Sequence, residues 1–111
     1  MATKQLNRIL ALTSNQSLIE SGTGDTPPAG LTWTVVELRP YFQGKGDFFL
    51  FIDDQQRIQI ASEDVATYGK PTVIGITIKQ PVTIHSKFSD RSAANNAVGV
   101  DITIEETTST A

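Results

Sequence analysis

Apolar and polar residues alternate with a period of two through much of this chain. In Val98-Gly99-Val100-Asp101-Ile102-Thr103-Ile104-Glu105 every second position is apolar and the residues between are small or polar. This is the pattern of a strand with one buried and one wet face. Thr72 to Lys79 places Ile74, Ile76 and Ile78 on one face, and Val82, Ile84, Ser86 and Phe88 resume the alternation after Pro81. A proline cannot donate to a ladder, so Pro81 predicts a strand start, an edge or a bend between two strands. Leu31 to Leu38 reads as a strand with Leu31, Trp33 and Val35 on one side and Thr32, Thr34, Val36 and Leu38 on the other. Phe48 to Ile52 is apolar at every position, which fits a central strand covered on both faces or a strand at an oligomer contact. Asp53 to Gln56 is a polar turn, and Arg57 to Ala61 returns as an alternating strand. Together these two strands predict a hairpin.

The remaining segments carry weaker patterns. Leu6, Ile9 and Leu10 fit a short helix face, while Leu10 and Leu12 fit a strand equally well. Ser62 to Gly69 opens on a Ser N-cap and ends on glycine, which predicts one or two helical turns. Ser21 to Gly30 is a long Gly/Pro/Thr loop, Gln43 to Asp47 a glycine turn and Ser89 to Ala97 a small polar loop. The whole chain, 1–111, reads as a single β-rich domain, with 1–13 as an N-terminal arm or first strand. The Thr- and Ser-rich tail 105–111 is expected to fray. Six or more short strands separated by turns predict an all-β fold, a small antiparallel β-sandwich first and a Greek-key barrel second.

Composition supports this assignment. Val, Ile and Thr contribute 7, 11 and 14 of the 111 residues, against 7 Leu, and branching at Cβ suits a pleated surface better than a helix. The absence of cysteine excludes disulfides, thiolate metal sites and a cysteine nucleophile. No apolar run approaches the length of a membrane-spanning helix, and no secretory signal is visible. The formal net charge is −3, and the nine basic residues are scattered. Binding to nucleic acid favours a concentrated basic face, so neither nucleic acid nor membrane is an expected partner.

Candidate chemistry is sparse. His85, the single histidine, lies in a strand on the side away from Val82, Ile84 and Phe88, as a polar residue of a wet face would. It has no second histidine or cysteine at metal-ligand spacing. Asp53-Asp54 could hold a cation, but at a hairpin tip aspartate is favoured for bonding backbone amides. Gly22-Thr23-Gly24 and Gly44-Lys45-Gly46 lack the rest of a phosphate loop. No catalytic residue, cofactor site or metal site is assigned, and the expectation is a protein that is not an enzyme. An enzyme would need a pair such as Asp53 with His85 brought into one cleft.

The aromatic residues give a positive indication. Tyr41, Phe42, Phe48, Phe49 and Phe51 fall within eleven positions. One alternate face, Phe49 with Phe51, is a candidate contact with another subunit, with Trp33 and Tyr41 as further anchors.

In size, in its Met1-Ala2-Thr3-Lys4 opening, in its threonine-rich strands and in its Ser109-Thr110-Ala111 end, the chain resembles small accessory proteins of tailed-phage virions, capsid decoration (cement) proteins in particular. The resemblance runs loosely over the whole chain and transfers no individual residue. It implies a homo-oligomer, trimeric or otherwise, made in the host cytoplasm, that sits on the capsid surface and clamps neighbouring subunits. A tail, baseplate or head-fibre component would have the same composition. The alternative is a carbohydrate- or ligand-binding β-sandwich module using Trp33, Tyr41 or Tyr68 with Asp47 and Asn95.

Overall fold

The computed structural model describes residues 2–12, 18–20, 24–42, 44–62, 67–68, 72–91 and 96–108. Nine strands occupy most of them: β1 (Ala2–Leu12), β2 (Ile19–Glu20), β3 (Leu31–Phe42), β4 (Gly46–Ile52), β5 (Gln55–Ser62), β6 (Thr67–Tyr68), β7 (Thr72–Lys79), β8 (Ile84–Asp90) and β9 (Asn96–Thr108). Every pairing is antiparallel. One sheet, A, runs β1-β9-β3, with β7 and β6 sharing the far flank of β3; the other, B, runs β2-β8-β4-β5. β1 and β9 lie against β8, and the chain changes sheet at every connection except β4–β5 and β6–β7. This strand order, β1-β9-β3-β7 over β2-β8-β4-β5, is that of an eight-stranded jelly roll, a β-sandwich of two interleaved Greek keys; β6 is a two-residue addition.

The core follows from the alternation. Val98, Val100, Ile102 and Ile104 of β9 face Phe48 and Leu50 of β4 and Ile84 and Phe88 of β8 across the sandwich, all buried. Each such side chain contributes about 1.5–3 kcal/mol by leaving water. Phe48 and Phe88, opposite one another in sheet B, pack with ring centroids 5.4 Å apart.

Three expectations change. In β3 the register shifts between Val35 and Glu37, so a bulge at Val36 moves Leu38 to the face of Trp33 and Val35, where it is fully buried. Strict alternation had placed Leu38 on the opposite side; the extra residue reverses the parity. The segment expected to fray from Glu105 instead remains paired to Thr108, because β3 runs beside it to its end and β1 flanks its other side as far as Glu106. At the N-terminus, where helix and strand were both open, Ala2–Leu12 is a strand, all of it in register with β9. Of the helical turn expected at Ser62 to Gly69, Ser62 ends β5 and Thr67–Tyr68 form a strand pair with β3, and the rest lies outside the described residues. Parts of the three loops and residues 109–111 lie outside them too.

Two turns behave as their residues dictate. Leu31 N–H donates to Pro28 O at 3.1 Å around Gly30, whose φ of 81° is the left-handed conformation that a type II turn demands. Asp53, at the tip of the β4–β5 hairpin, has φ of 53°, which aspartate tolerates better than most residues.

Candidate functional site

Outward-facing residues of β4 and β8 build the first candidate surface. Phe48, Leu50 and Ile52 point into the sandwich, so Phe49 and Phe51 point out of sheet B, where both are half-buried. Phe51 stands opposite His85 and Phe49 opposite Lys87. The Lys87 ammonium lies 4.3 Å from the centroid of the Phe51 ring, within the range of a cation–π contact. Glu20 of β2, opposite Lys87, places Oε2 2.7 Å from His85 Nδ1. The result is a strip of two aromatic rings flanked by a lysine and a histidine–glutamate pair. One end is closed by Asp47, buried and bonded to Arg91 Nε at 2.8 Å.

The aromatic residues singled out in the sequence do not form one patch. Trp33 lies inside the sandwich, 4 % exposed. Its indole N–H donates to Glu106 Oε2 at 2.8 Å, and the Lys4 ammonium lies 5.3 Å from its ring centroid. Tyr41 projects from sheet A, on the opposite side of the molecule from Phe49 and Phe51. Of the groups considered for sugar binding, Asp47 is held by Arg91, while the Tyr68 side chain and Asn95 lie outside what the structure describes.

Asp53 and His85 are engaged separately. Asp53 Oδ1 accepts the Thr83 amide at 3.0 Å and its own amide donates to Thr83 O at 2.8 Å, so it fastens the hairpin tip to the β7–β8 connection. His85 bonds Glu20. Among the described residues there is no group of three or more His, Asp or Glu side chains placed to hold a metal.

The outer face of sheet A forms a second surface. Gln5, Glu37, Arg39, Asp101 and Thr103 line a shallow polar depression across β1, β9 and β3. Gln5 Nε2 donates to Thr103 Oγ1 at 3.0 Å, and Arg39 pairs with Glu37 at 3.6 Å. Tyr41 borders it, with its hydroxyl 3.1 Å from Asp101 Oδ1 and 3.2 Å from Asn7 Oδ1. Partial burial, then the bond to the Asp101 carboxylate and its charge, push the Tyr41 phenol above its ordinary value. Sequence reading did not reach Asp101, Arg39 or Gln5, since only strand order brings β1, β9 and β3 side by side. No protein-family model matches the chain, and no curated protein matches it.

Proposed function

We propose that this protein is a non-enzymatic structural component of a virus particle, a decoration or cement protein on the capsid surface that binds assembled subunits through the outer face of sheet B. The observation that carries the reading is the Phe49–Phe51 pair. Two adjacent phenylalanines face outward on a sheet whose other face already supplies the core, beside a cation and a histidine hydrogen-bonded to Glu20. An aromatic centre with a charged rim is the composition of a protein-binding patch. The jelly roll adds a fold-level analogy, since this architecture recurs in viral capsid and lectin domains.

The reading includes a homo-oligomer, a trimer being one form. Sheet edges supply its support. At one side of the sandwich, Arg8 of β1 reaches across to Asp25, which pairs with Ile84 beside sheet B. At the other side β7 and β5 are edge strands, and their inward residues Ile74, Ile76, Ile58 and Ile60 are only partly buried. From Thr72 to Ile78, β7 carries no charge or proline, the devices that ordinarily blunt an edge against pairing.

The test is co-sedimentation of the purified protein with assembled tailed-phage shells. Saturable binding that Phe49→Ala with Phe51→Ala weakens at least tenfold supports the reading. A monomer in sedimentation velocity that ignores shells overturns it, and binding to tails in place of shells moves the role to the tail or baseplate.

A further inference from the structure

β7 differs from the other edges of the sandwich in what guards it. β1, the other long edge of sheet A, sets Lys4 and Arg8 opposite Ile104 and Val100 of β9, so two charges stand on the inner side of that edge. β5 carries Arg57, and β2 and β6 are two residues long. Inward charges, exposed charges and shortness all keep a sheet edge from pairing. From Thr72 to Ile78, β7 has none of them, and each of its residues is β-branched or glycine, a composition that favours pairing.

The middle of this strand reads nearly the same in both directions: Val73-Ile74-Gly75-Ile76-Thr77, with valine and threonine both branched at Cβ. Such a segment matches a copy of itself run antiparallel, because in a two-fold contact residue i meets j wherever j meets i. With Gly75 opposite Gly75 of the copy, Val73 lies opposite Thr77 and Ile74 opposite Ile76, each pair occurring twice. The faces agree as well. Val73, Gly75 and Thr77 are exposed on the outer face, while Ile74 and Ile76 are half-buried on the inner one. A two-fold axis normal to the sheet keeps each set on its own side.

Gly75 itself favours a copy over a foreign strand. The register shift in β3 leaves Ile74 and Gly75 together across from Val36, which adds local twist to the edge. A flat strand fits such an edge poorly, whereas a copy brings the same right-handed twist. A Cβ at Gly75 would meet nothing within 4 Å, and its φ is not left-handed, so neither packing nor backbone within the chain calls for glycine. A strand glycine costs stability and often marks the close approach of another backbone.

We propose that β7 is a homodimer seam. Two copies pair their β7 edges antiparallel about a two-fold axis at Gly75, joining their A sheets into one and covering Ile74 and Ile76. The inference rests on the oligomer included in the particle reading and gives it an interface, without involving Phe49 or Phe51. A contact one strand wide is small among specific interfaces, so Kd should be on the order of micromolar.

The chain has no cysteine, so single introduced cysteines test the seam directly. Opposed residues of an antiparallel pair have Cα atoms about 4.5–5.5 Å apart, within reach of a disulfide. Gly75→Cys has room for its side chain. Under mild oxidation it should form a covalent dimer roughly tenfold faster than Ile9→Cys, an exposed position on β1 that reports random collision. Val73→Cys and Thr77→Cys should each stay largely monomeric alone and crosslink when mixed. Wild type should sediment as a dimer at about 100 micromolar, well above that Kd. The seam is overturned by a monomer or a trimer at that concentration, or if Gly75→Cys crosslinks no faster than Ile9→Cys. Val73→Cys crosslinking to itself as fast as to Thr77→Cys overturns the register. A dimer that ignores phage shells defeats the particle reading alone, and a monomer that binds them defeats the seam alone.

Discussion

Trp33 and Glu106 occupy directly opposed positions on β3 and β9, and the indole N–H of one donates to the carboxylate of the other at 2.8 Å. Lys4 completes the group, 3.4 Å from the same carboxylate oxygen. The hydrogen bond from Trp33 holds the Glu106 carboxyl below its ordinary value; desolvation opposes this, and the charge of Lys4 reinforces it. A folded-state value below the unfolded one gives stability that is present above the unfolded glutamate value and lost as pH falls through the folded one. Since Trp33 is the single tryptophan, its fluorescence should change in acid, at a pH below the ordinary glutamate titration. Glu106→Gln should remove that transition, and a persistent transition in the variant would assign it elsewhere.

Arg8 and Asp25 tie β1 to the neighbourhood of sheet B through two contacts, one of them Arg8 Nε to Asp25 Oδ2 at 3.0 Å. Both side chains are partly shielded from water. Arg8→Met should cost about 1–2 kcal/mol, the range for a hydrogen bond to a charged group after discounting for exposure. A double-mutant cycle with Asp25→Asn measures the coupling, and purely additive losses would show that the pair contributes little.

Ser86 sits on the inner face of β8, 2 % exposed, and its hydroxyl has no hydrogen-bond partner among the described residues. Removing an unpaired buried hydroxyl relieves its desolvation cost. Ser86→Ala should therefore be neutral or stabilising by up to about 1 kcal/mol in denaturant unfolding, where an alanine replacing a paired serine would destabilise.

Phe48 and Phe49 are neighbours in sequence with opposite fates. Phe48→Ala opens the core against Phe88 and should cost about 3–5 kcal/mol. Phe49→Ala truncates an outward ring and should cost well under half as much, as chemical denaturation of both variants would show.

The β7 edge gives an assembly prediction. Val73 is 81 % exposed and Thr77 lies on the same outer face. Val73→Lys with Thr77→Lys places two charges along the edge strand. If this edge joins subunits, sedimentation should show the oligomer dissociating while the circular dichroism of the fold is kept.

Most strands were legible because burial on one face imposes period-two alternation, and Val98 to Ile104 shows it plainly. The Asp53-Asp54 hairpin was legible because polar turn residues interrupt two apolar runs. The position of Leu38 was not, since a bulge is a relation between β3 and its partners and leaves no mark on alternation within β3 alone. The order of the C-terminal strand was hidden for a similar reason. Nothing local in Glu105 to Thr108 marks it as a strand; β3 pairs it to its end and β1 flanks it as far as Glu106.

The candidate surfaces divide the same way. That Phe49 and Phe51 share a face opposite Phe48 and Leu50 follows from the geometry of one strand. That Lys87, His85 and Glu20 stand beside them follows only from strand order, as does the union of Tyr41 with Asn7 and Asp101. The sequence by itself determined that this chain builds strands, which residues of each strand seek the core, and that thiol chemistry is absent. Tertiary structure alone decided the jelly-roll winding, the bulge that turns Leu38 inward and the placing of Tyr41 opposite Gly99. Side-chain alternation is a property of each strand's own backbone, whereas sheet neighbours and close approaches arise when segments distant in sequence compete to bury the same surface.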